Sequence, residues 1–293
     1  MAPSIKLHTL LADYPVTLPL KRGDVPLQGI EFDFVPVGKA SGEFKRVVRD
    51  LEFDVAELAI ITFLIAKAAG KPLALLPAVM VGRFQHPFLI HDRSRGKLEP
   101  ADLGGRRVGI RSYSVTTGAW VRGILANDYG VDLDTVRWVT FEEPHVAEFH
   151  DPSNVERAAP GKKMIDMLLA GEIDAAVAGD GLPADDRIQT VIPDPQAAAR
   201  DWQARHGALQ INHMVVVRES LMRERPEAVR EVYRALSESR RQAVAAGAAD
   251  LPFGIEANRR NLEVAIDYAF QQRLIPRRYT VDELFLDPVR DFA

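Results

Sequence analysis

The chain contains no cysteine. Disulfides, thiolate nucleophiles and Cys-based zinc sites are therefore excluded from any account of its fold or chemistry. No apolar run is long enough to span a bilayer. No Walker loop, Gly-x-Gly-x-x-Gly or Gly-x-Ser-x-Gly occurs, which argues against common nucleotide-dependent and serine-hydrolase chemistry. A basic excess is also missing: 37 Lys and Arg stand against 41 Asp and Glu, a net charge of −4. Neither nucleic acid nor an anionic membrane is thus an expected partner. The opening Met-Ala-Pro-Ser-Ile-Lys-Leu lacks a charged segment followed by an apolar one. A cytoplasmic location is the expectation.

What remains is an ordinary composition over 293 residues, 47% hydrophobic and 27% charged. That is enough chain for two lobes, each with its own core. There is no internal repeat and no low-complexity linker. Strands are expected at Ile5 to Leu10, Ile30 to Val35, Phe53 to Leu58, Leu73 to Val81, Phe88 to His91, Arg107 to Ile110, Val136 to Phe141, Ile173 to Ala178 and Met214 to Val217. Helices are expected at Ser41 to Leu51 with Ser41 as N-cap, Ile60 to Ala69, Ala119 to Asp128 and Lys162 to Ala170. From Pro226 the chain reads as mostly helical: Glu227 to Ala246, Asn258 to Gln272 and a short turn near Val281 to Phe285. Strands alternating with helices predict an α/β fold with parallel-type sheets.

The chain is organised around the stretch Leu103 to Gly118. A tight Gly104-Gly105 turn leads into a buried strand, then a hydroxyl-rich loop, then a helix. The loop brings Arg111, Ser112, Tyr113, Ser114, Thr116 and Thr117 to the C-terminal end of a strand, where open α/β sheets bind ligands. A helix starting after Thr117 offers free N–H groups to an anion, and Arg111 adds a planar fork for a carboxylate or phosphate. The same residues also suit a capped helix beside a solvated arginine.

Other polar residues sit at interruptions of apolar segments. His86, with Arg83 and Phe84 nearby, reads as a proton donor or an oxygen ligand, and equally as a surface-turn histidine. Asn212 and His213 precede an apolar strand, as a cleft wall or a hydrogen-bonded core pair. Glu57 at a strand end is a cleft residue or a helix-start charge. His145 and Glu148 have metal-binding i, i+3 spacing, but Pro144 and the lack of a third ligand count against that reading.

Taken as a set, several segments resemble the 4,5-dihydroxyphthalate decarboxylases. These are Phe53-Asp54-Val55-Ala56-Glu57-Leu58, Arg83-Phe84-Gln85-His86, Gly105 to Tyr113 with Thr116-Thr117-Gly118, Gly171-Glu172-Ile173-Asp174-Ala175 and Ile211-Asn212-His213. The order is kept through most of the chain. Two positions depart from the family pattern: Gln85 stands where the family often has Arg, and Ile61 where it tends to have a small hydroxyl residue. The first removes a possible carboxylate contact, which leaves room for a substrate with one carboxylate or a different ring.

The resemblance implies a two-lobed fold like the type II periplasmic binding proteins, with a ligand cleft between the lobes. Lobe one would comprise 1–87 and 214–293, with the helical tail packed on it, and lobe two 88–213. The crossovers would fall near Phe88 to His91 and Asn212 to Val216. The implied activity is decarboxylation of a hydroxylated aromatic carboxylate, 4,5-dihydroxyphthalate being the expected substrate and protocatechuate plus CO2 the products. Arg111 and the Ser112 to Thr117 loop, with Arg83 and Asn212, would hold the substrate. His86 and His213 would move protons, with Glu57 orienting one of them or accepting from a ring hydroxyl. No redox or electron-sink cofactor is expected. A divalent ion shared by Glu57, His86 and His213 stays open, as does a homo-oligomer. The rival readings are a binding protein or sensor for a small aromatic carboxylate, or another enzyme of this fold, such as those acting on cyclic carboxylates in menaquinone synthesis.

Overall fold

The computed structural model of the protein describes residues 4–179, 182, 184–287 and 289. Its strands form two sheets. The first holds β1 (Ile5–Leu10), β2 (Ile30–Phe34), β3 (Val55–Ala59), β4 (Leu73–Gly82) and β11 (Ile211–Arg218), in the order β2-β1-β3-β11-β4. β1 runs parallel to β2 and β3, whereas β11 runs antiparallel to β3 and β4. The second holds β5 (Leu89–Asp92), β6 (Arg107–Ile110), β7 (Arg137–Thr140), β8 (Val155–Arg157), β9 (Ala175–Val177) and β10 (Ile188–Thr190), in the order β10-β5-β9-β6-β7-β8. The parallel core β9-β6-β7-β8 is flanked by the antiparallel β5 and β10.

The chain therefore leaves the first sheet after Gly82 and rejoins it at Ile211. Both crossings lie slightly before the expected segments, and residue 214 falls inside β11 rather than at a lobe boundary. Burial explains the placement of these strands. β3, Val-Ala-Glu-Leu-Ala, is buried throughout, as are most of β4 and β11: β3 and β11 are central strands, and the helix Pro226–Ala245 packs on the edge strand β4.

The helices are α1 (Leu18–Lys21), α2 (Ile60–Ala68), α3 (Thr116–Asp128), α4 (Met164–Ala170), α5 (Pro195–His206), α6 (Glu219–Glu224), α7 (Pro226–Ala245) and α8 (Ile255–Gln271). Three departures from the expected elements have local causes. The region 41–51 is not one regular helix: a short 3₁₀ turn, Ala40–Gly42, is followed by a wider helical turn, Arg46–Asp50, that ends on left-handed Leu51. The helix after β6 begins at Thr116, so Thr116 and Thr117 form its first turn instead of the preceding loop. α5 has no counterpart in the sequence reading, although its start is well marked: the Asp194 side chain accepts from Ala197 N–H and Pro195 opens the helix.

The helical tail does not pack on lobe one alone. α7 lies on α1, β2 and β4, but α8 also packs on α3. A Cβ on Gly123 would stand 1.9 Å from the Tyr268 ring, so α3 and α8 approach closely through a glycine. Arg122 Nε donates to Gln272 Oε1 at 2.8 Å and Trp120 packs edge-on against Tyr268. α8 thus ties the two lobes together. Of the polar turn Gly179-Asp180-Gly181 after β9, Asp180 and Gly181 lie outside the described residues.

Candidate functional site

Between the sheets lies a cleft with a volume of about 1050 Å³. Its chemistry starts from the register of two strands. In the β3–β11 pairing Val215 stands opposite Glu57 and His213 opposite Ala59. Residues two apart share a face of a strand, so Glu57 and His213 are diagonal neighbours on one side of the sheet. His213 Nδ1 lies 3.0 Å from Glu57 Oε2.

Glu57 is fully buried. A carboxylate in that position needs donors, and three reach it. Ala12 N–H donates to Oε1 at 2.7 Å, and the Tyr14 hydroxyl donates to Oε2 at 3.0 Å beside the His213 ring nitrogen. Ala12 and Tyr14 belong to the loop that follows β1, held by Thr17 Oγ1, which donates to Ala12 carbonyl oxygen at 2.7 Å. Burial, and then the neighbouring Glu57 charge, raise the Tyr14 phenol well above its ordinary pKa, so it stays a donor. With Glu57 accepting, His213 carries its proton on Nδ1 and its Nε2 lone pair is left to the cleft that His213 lines.

Asn212, next to His213, is oriented by a buried amide chain. Gln85 Nε2 donates to the Arg83 carbonyl at 2.6 Å, which fixes which end of Gln85 is the nitrogen. The same Nε2 donates to Asn212 Oδ1 at 2.8 Å. Asn212 Oδ1 is thereby occupied, and its Nδ2 is the amide atom left for a ligand. Gln85 is itself fully buried and takes up Gln210 Oε1 through its backbone N–H at 2.6 Å. It shapes the wall of the cleft from behind and does not line it.

The opposite wall is cationic and comes largely from lobe two. Arg111, Thr116 and Thr117 line the cleft, with the first turn of α3 directed at it. Arg111 Nη1 reaches Glu142 Oε2 at 3.5 Å, a long and half-exposed pair worth little on its own, which leaves the fork available to an anion. Thr116 Oγ1 accepts from Ile61 N–H at 3.1 Å and so joins α3 to the start of α2 across the lobes. Lys39, Arg83, Lys162 and Lys163 also line the cleft, against the acidic Asp13 and Glu142. In a chain of net charge −4 this local positive excess favours a negatively charged ligand.

The remaining expected site residues are placed elsewhere. His86 does not line the cleft: it is buried beside Trp202 and Phe84, with ring centroids 6.4 Å away in each case. Burial pushes its pKa down to about 4. The expectation that His86 as well as His213 moves protons at the substrate is therefore corrected: β4 ends at Gly82, and the turn that follows carries His86 into this aromatic cluster. Ser112, Tyr113 and Ser114 are buried and turn into lobe two. Ser112 and Ser114 face each other with oxygens 3.4 Å apart, while Tyr113 packs on Trp138 and under the Arg122 guanidinium, 3.8 Å from its ring. The trio Glu57, His86 and His213 is not brought together, and no group of three His, Asp or Glu among the described residues is arranged to hold a metal ion. Glu148 pairs with Lys71 at 2.7 Å and not with His145.

The cleft residues Tyr14 and Phe44 were not singled out in the sequence, and His145 was weighed there only as half of a metal pair with Glu148. Tyr14 and His145 follow the C-terminal ends of β1 and β7, both parallel strands. The rule that placed Arg111 after β6 applies equally to those two loops and is the signal that finds them.

No protein-family model matches the chain. Among curated proteins, the 4,5-dihydroxyphthalate decarboxylase of Comamonas testosteroni is 28% identical over 240 residues, covering 76% of this chain and 71% of that protein. The enzyme of the same name from Pseudomonas putida is 29% identical over 211 residues, 68% of this chain and 81% of the other. In sequence the chain is thus similar to the 4,5-dihydroxyphthalate decarboxylases. In fold it is like the type II periplasmic binding proteins. The alkanesulfonate-binding protein SsuA of Xanthomonas axonopodis pv. citri, bound to MOPS, superposes with a TM-score of 0.59 at 15% identity, over 98% of this chain and 99% of that one. The periplasmic aliphatic sulphonate-binding protein SsuA of Escherichia coli gives 0.57 at 14%, over 97% and 92%. The desulfurization enzyme DszB gives 0.51 at 15%, over 98% of both chains, so this fold carries an enzyme as well as receptors.

Proposed function

We propose that this protein is a carboxy-lyase that decarboxylates a hydroxylated aromatic carboxylate, with 4,5-dihydroxyphthalate as substrate and protocatechuate and CO2 as products. The observation that carries this reading is the 3.0 Å contact between Glu57 Oε2 and His213 Nδ1, which makes a carboxylate-backed imidazole at the floor of a cationic cleft.

Direct loss of CO2 from the ring would leave an aryl carbanion. A hydroxyl para to the carboxylate avoids it. His213 Nε2 takes the hydroxyl proton, and Glu57 stabilises the imidazolium that forms. The oxygen pushes electron density to the carboxylated carbon, which takes a proton, ultimately from water. CO2 then leaves with restoration of the aromatic ring, and His213 returns its proton to the oxygen. Arg111 and the first turn of α3 hold a carboxylate, and the Asn212 amide donates to a ligand oxygen beside His213.

Incubation of the purified protein with 4,5-dihydroxyphthalate and related hydroxybenzoates, following CO2 and product, tests the proposal. Catalytic release of CO2 supports it. Stoichiometric tight binding without turnover across pH and added divalent ions would replace it with the binding-protein reading, for which a carboxylate-backed base has no evident use.

A further inference from the structure

Two histidines line the cleft, and the protein holds them in opposite states. His145 lies in the loop after β7, buried, with its ring edge-on to Phe44 at 5.5 Å; His213 packs edge-on on the same phenylalanine at 5.1 Å. His145 Nδ1 is 2.9 Å from Thr62 Oγ1 on α2. Thr62 is itself buried, and among the described residues His145 is the partner of its hydroxyl. A buried hydroxyl proton needs an acceptor, so Thr62 donates to Nδ1 and the His145 proton sits on Nε2. The arrangement is the reverse of His213, where Glu57 accepts from Nδ1 and Nε2 is unprotonated. One ring therefore offers the cleft a lone pair and the other an N–H.

The surroundings of His145 keep it neutral. Burial pushes its pKa down to about 3, and the charges of Arg111, Lys45 and Arg49 and the His213 ring act in the same direction. Its backbone is fixed as well. The Arg49 fork, from lobe one, donates to the carbonyls of His145 at 2.8 Å and Pro144 at 2.7 Å. Two imidazoles held in opposite tautomers in one site divide the work between them.

We infer that His145 is a second functional imidazole of this cleft, a preorganised neutral donor whose Nε2–H binds the substrate oxygen from which His213 takes its proton, with Thr62 as the positioning residue that sets the tautomer. The inference rests on the decarboxylase reading for its substrate, a phenol para to a carboxylate. As the O–H proton passes to His213, negative charge grows on that oxygen, and the fixed N–H of His145 stabilises it without itself giving up a proton. The same electron pair then moves through the ring, the carboxylated carbon is protonated, and the C–CO2 bond breaks with its electrons returned to the ring.

The first test needs no turnover. In ¹⁵N-histidine NMR of the whole protein, His145 is expected as the Nε2–H tautomer, unprotonated down to pH 5, and His213 as Nδ1–H. Addition of 3,4-dihydroxybenzoate should shift the His145 Nε2–H signal. An Nδ1–H or protonated His145 above pH 5, or a signal indifferent to the ligand, overturns the inference. The second test is kinetic. His145→Ala should lower kcat about 10²-fold, the usual loss for a single transition-state donor, with the shape of the pH profile unchanged. His145→Gln, which keeps an N–H, should recover part of that loss, and Thr62→Ser should be milder than Thr62→Val. Wild-type kcat in folded His145→Ala overturns the role. If the wild type shows no decarboxylation at all, the functional proposal fails on its own, and the NMR tautomer and ligand response still decide His145.

Discussion

His213 and Glu57 sit on the diagonal of an antiparallel strand pair, two residues out of direct register, and that offset is what brings Nδ1 of one within 3.0 Å of Oε2 of the other. Because both strands are buried and their register is set by apolar neighbours, the pair is held by the core and not by a mobile loop.

Glu57→Gln keeps the shape but removes the charge that supports the His213 imidazolium. A fall in kcat of about 10²–10⁴-fold is expected for this variant and for His213→Ala, typical of lost general acid–base catalysis. Binding of 3,4-dihydroxybenzoate should change far less. Single-turnover rates and calorimetric Kd on folded variants check it; near-wild-type turnover in both would remove the pair from the mechanism.

Arg111→Ala should weaken binding of the substrate carboxylate by about 1.5–3 kcal/mol, the range for a charge-assisted hydrogen bond. Arg111→Lys should fall between, since it keeps charge but loses the planar fork. Glu142→Gln, which frees the guanidinium from its 3.5 Å partner, should bind no worse than wild type. Titration calorimetry reads all three, and an unchanged Kd in Arg111→Ala would sink the assignment.

Asn212→Asp turns the donor beside His213 into an anion. An increase in KM of at least about tenfold is expected, equivalent to about 1.4 kcal/mol. Gln85→Leu should produce a smaller effect in the same direction, because it frees the Asn212 amide to rotate. Steady-state kinetics with hydroxylated benzoates tests the order; a Gln85→Leu effect with no Asn212→Asp effect would contradict it.

His86→Leu should leave kcat within about twofold, since His86 packs against Trp202 outside the cleft. Its effect is expected in acid. The folded pKa of about 4 lies below the ordinary 6.5, so the unfolded chain binds the extra proton first. Stability is therefore lost as pH falls from 6.5 towards 4, by up to about 3 kcal/mol from this residue at 1.36 kcal/mol per unit. Urea denaturation at several pH values should show a shallower acid loss in His86→Leu. Equal slopes for variant and wild type would refute the account.

Much of the fold was legible in the linear pattern. The alternating apolar residues of β1 and β2, the Gly171 stop after α4 and the long helical spacing of α7 and α8 are local signals that the packing of this protein leaves in place. Where local rules competed, the reading slipped: Gly42 and left-handed Leu51 break the segment 41–51, and Thr116 is already helical although the hydroxyl-rich run read as a loop.

The residue types of the site were legible too, because a carboxylate, a histidine and an arginine interrupting apolar strands are costly unless they have partners. By itself the sequence placed Arg111 just past the end of a strand, whereas Glu57 and His213, read there as a strand end and a strand start, lie inside β3 and β11. Which of them meet was decided by the tertiary structure alone. Strand register places His213 against Glu57 across 156 residues, while the turn after β4 carries His86 into an aromatic core and the loop after β7 delivers His145 to Thr62. Those distances depend on how two sheets pair and pack, and no periodicity along one chain encodes the separation between two points of it.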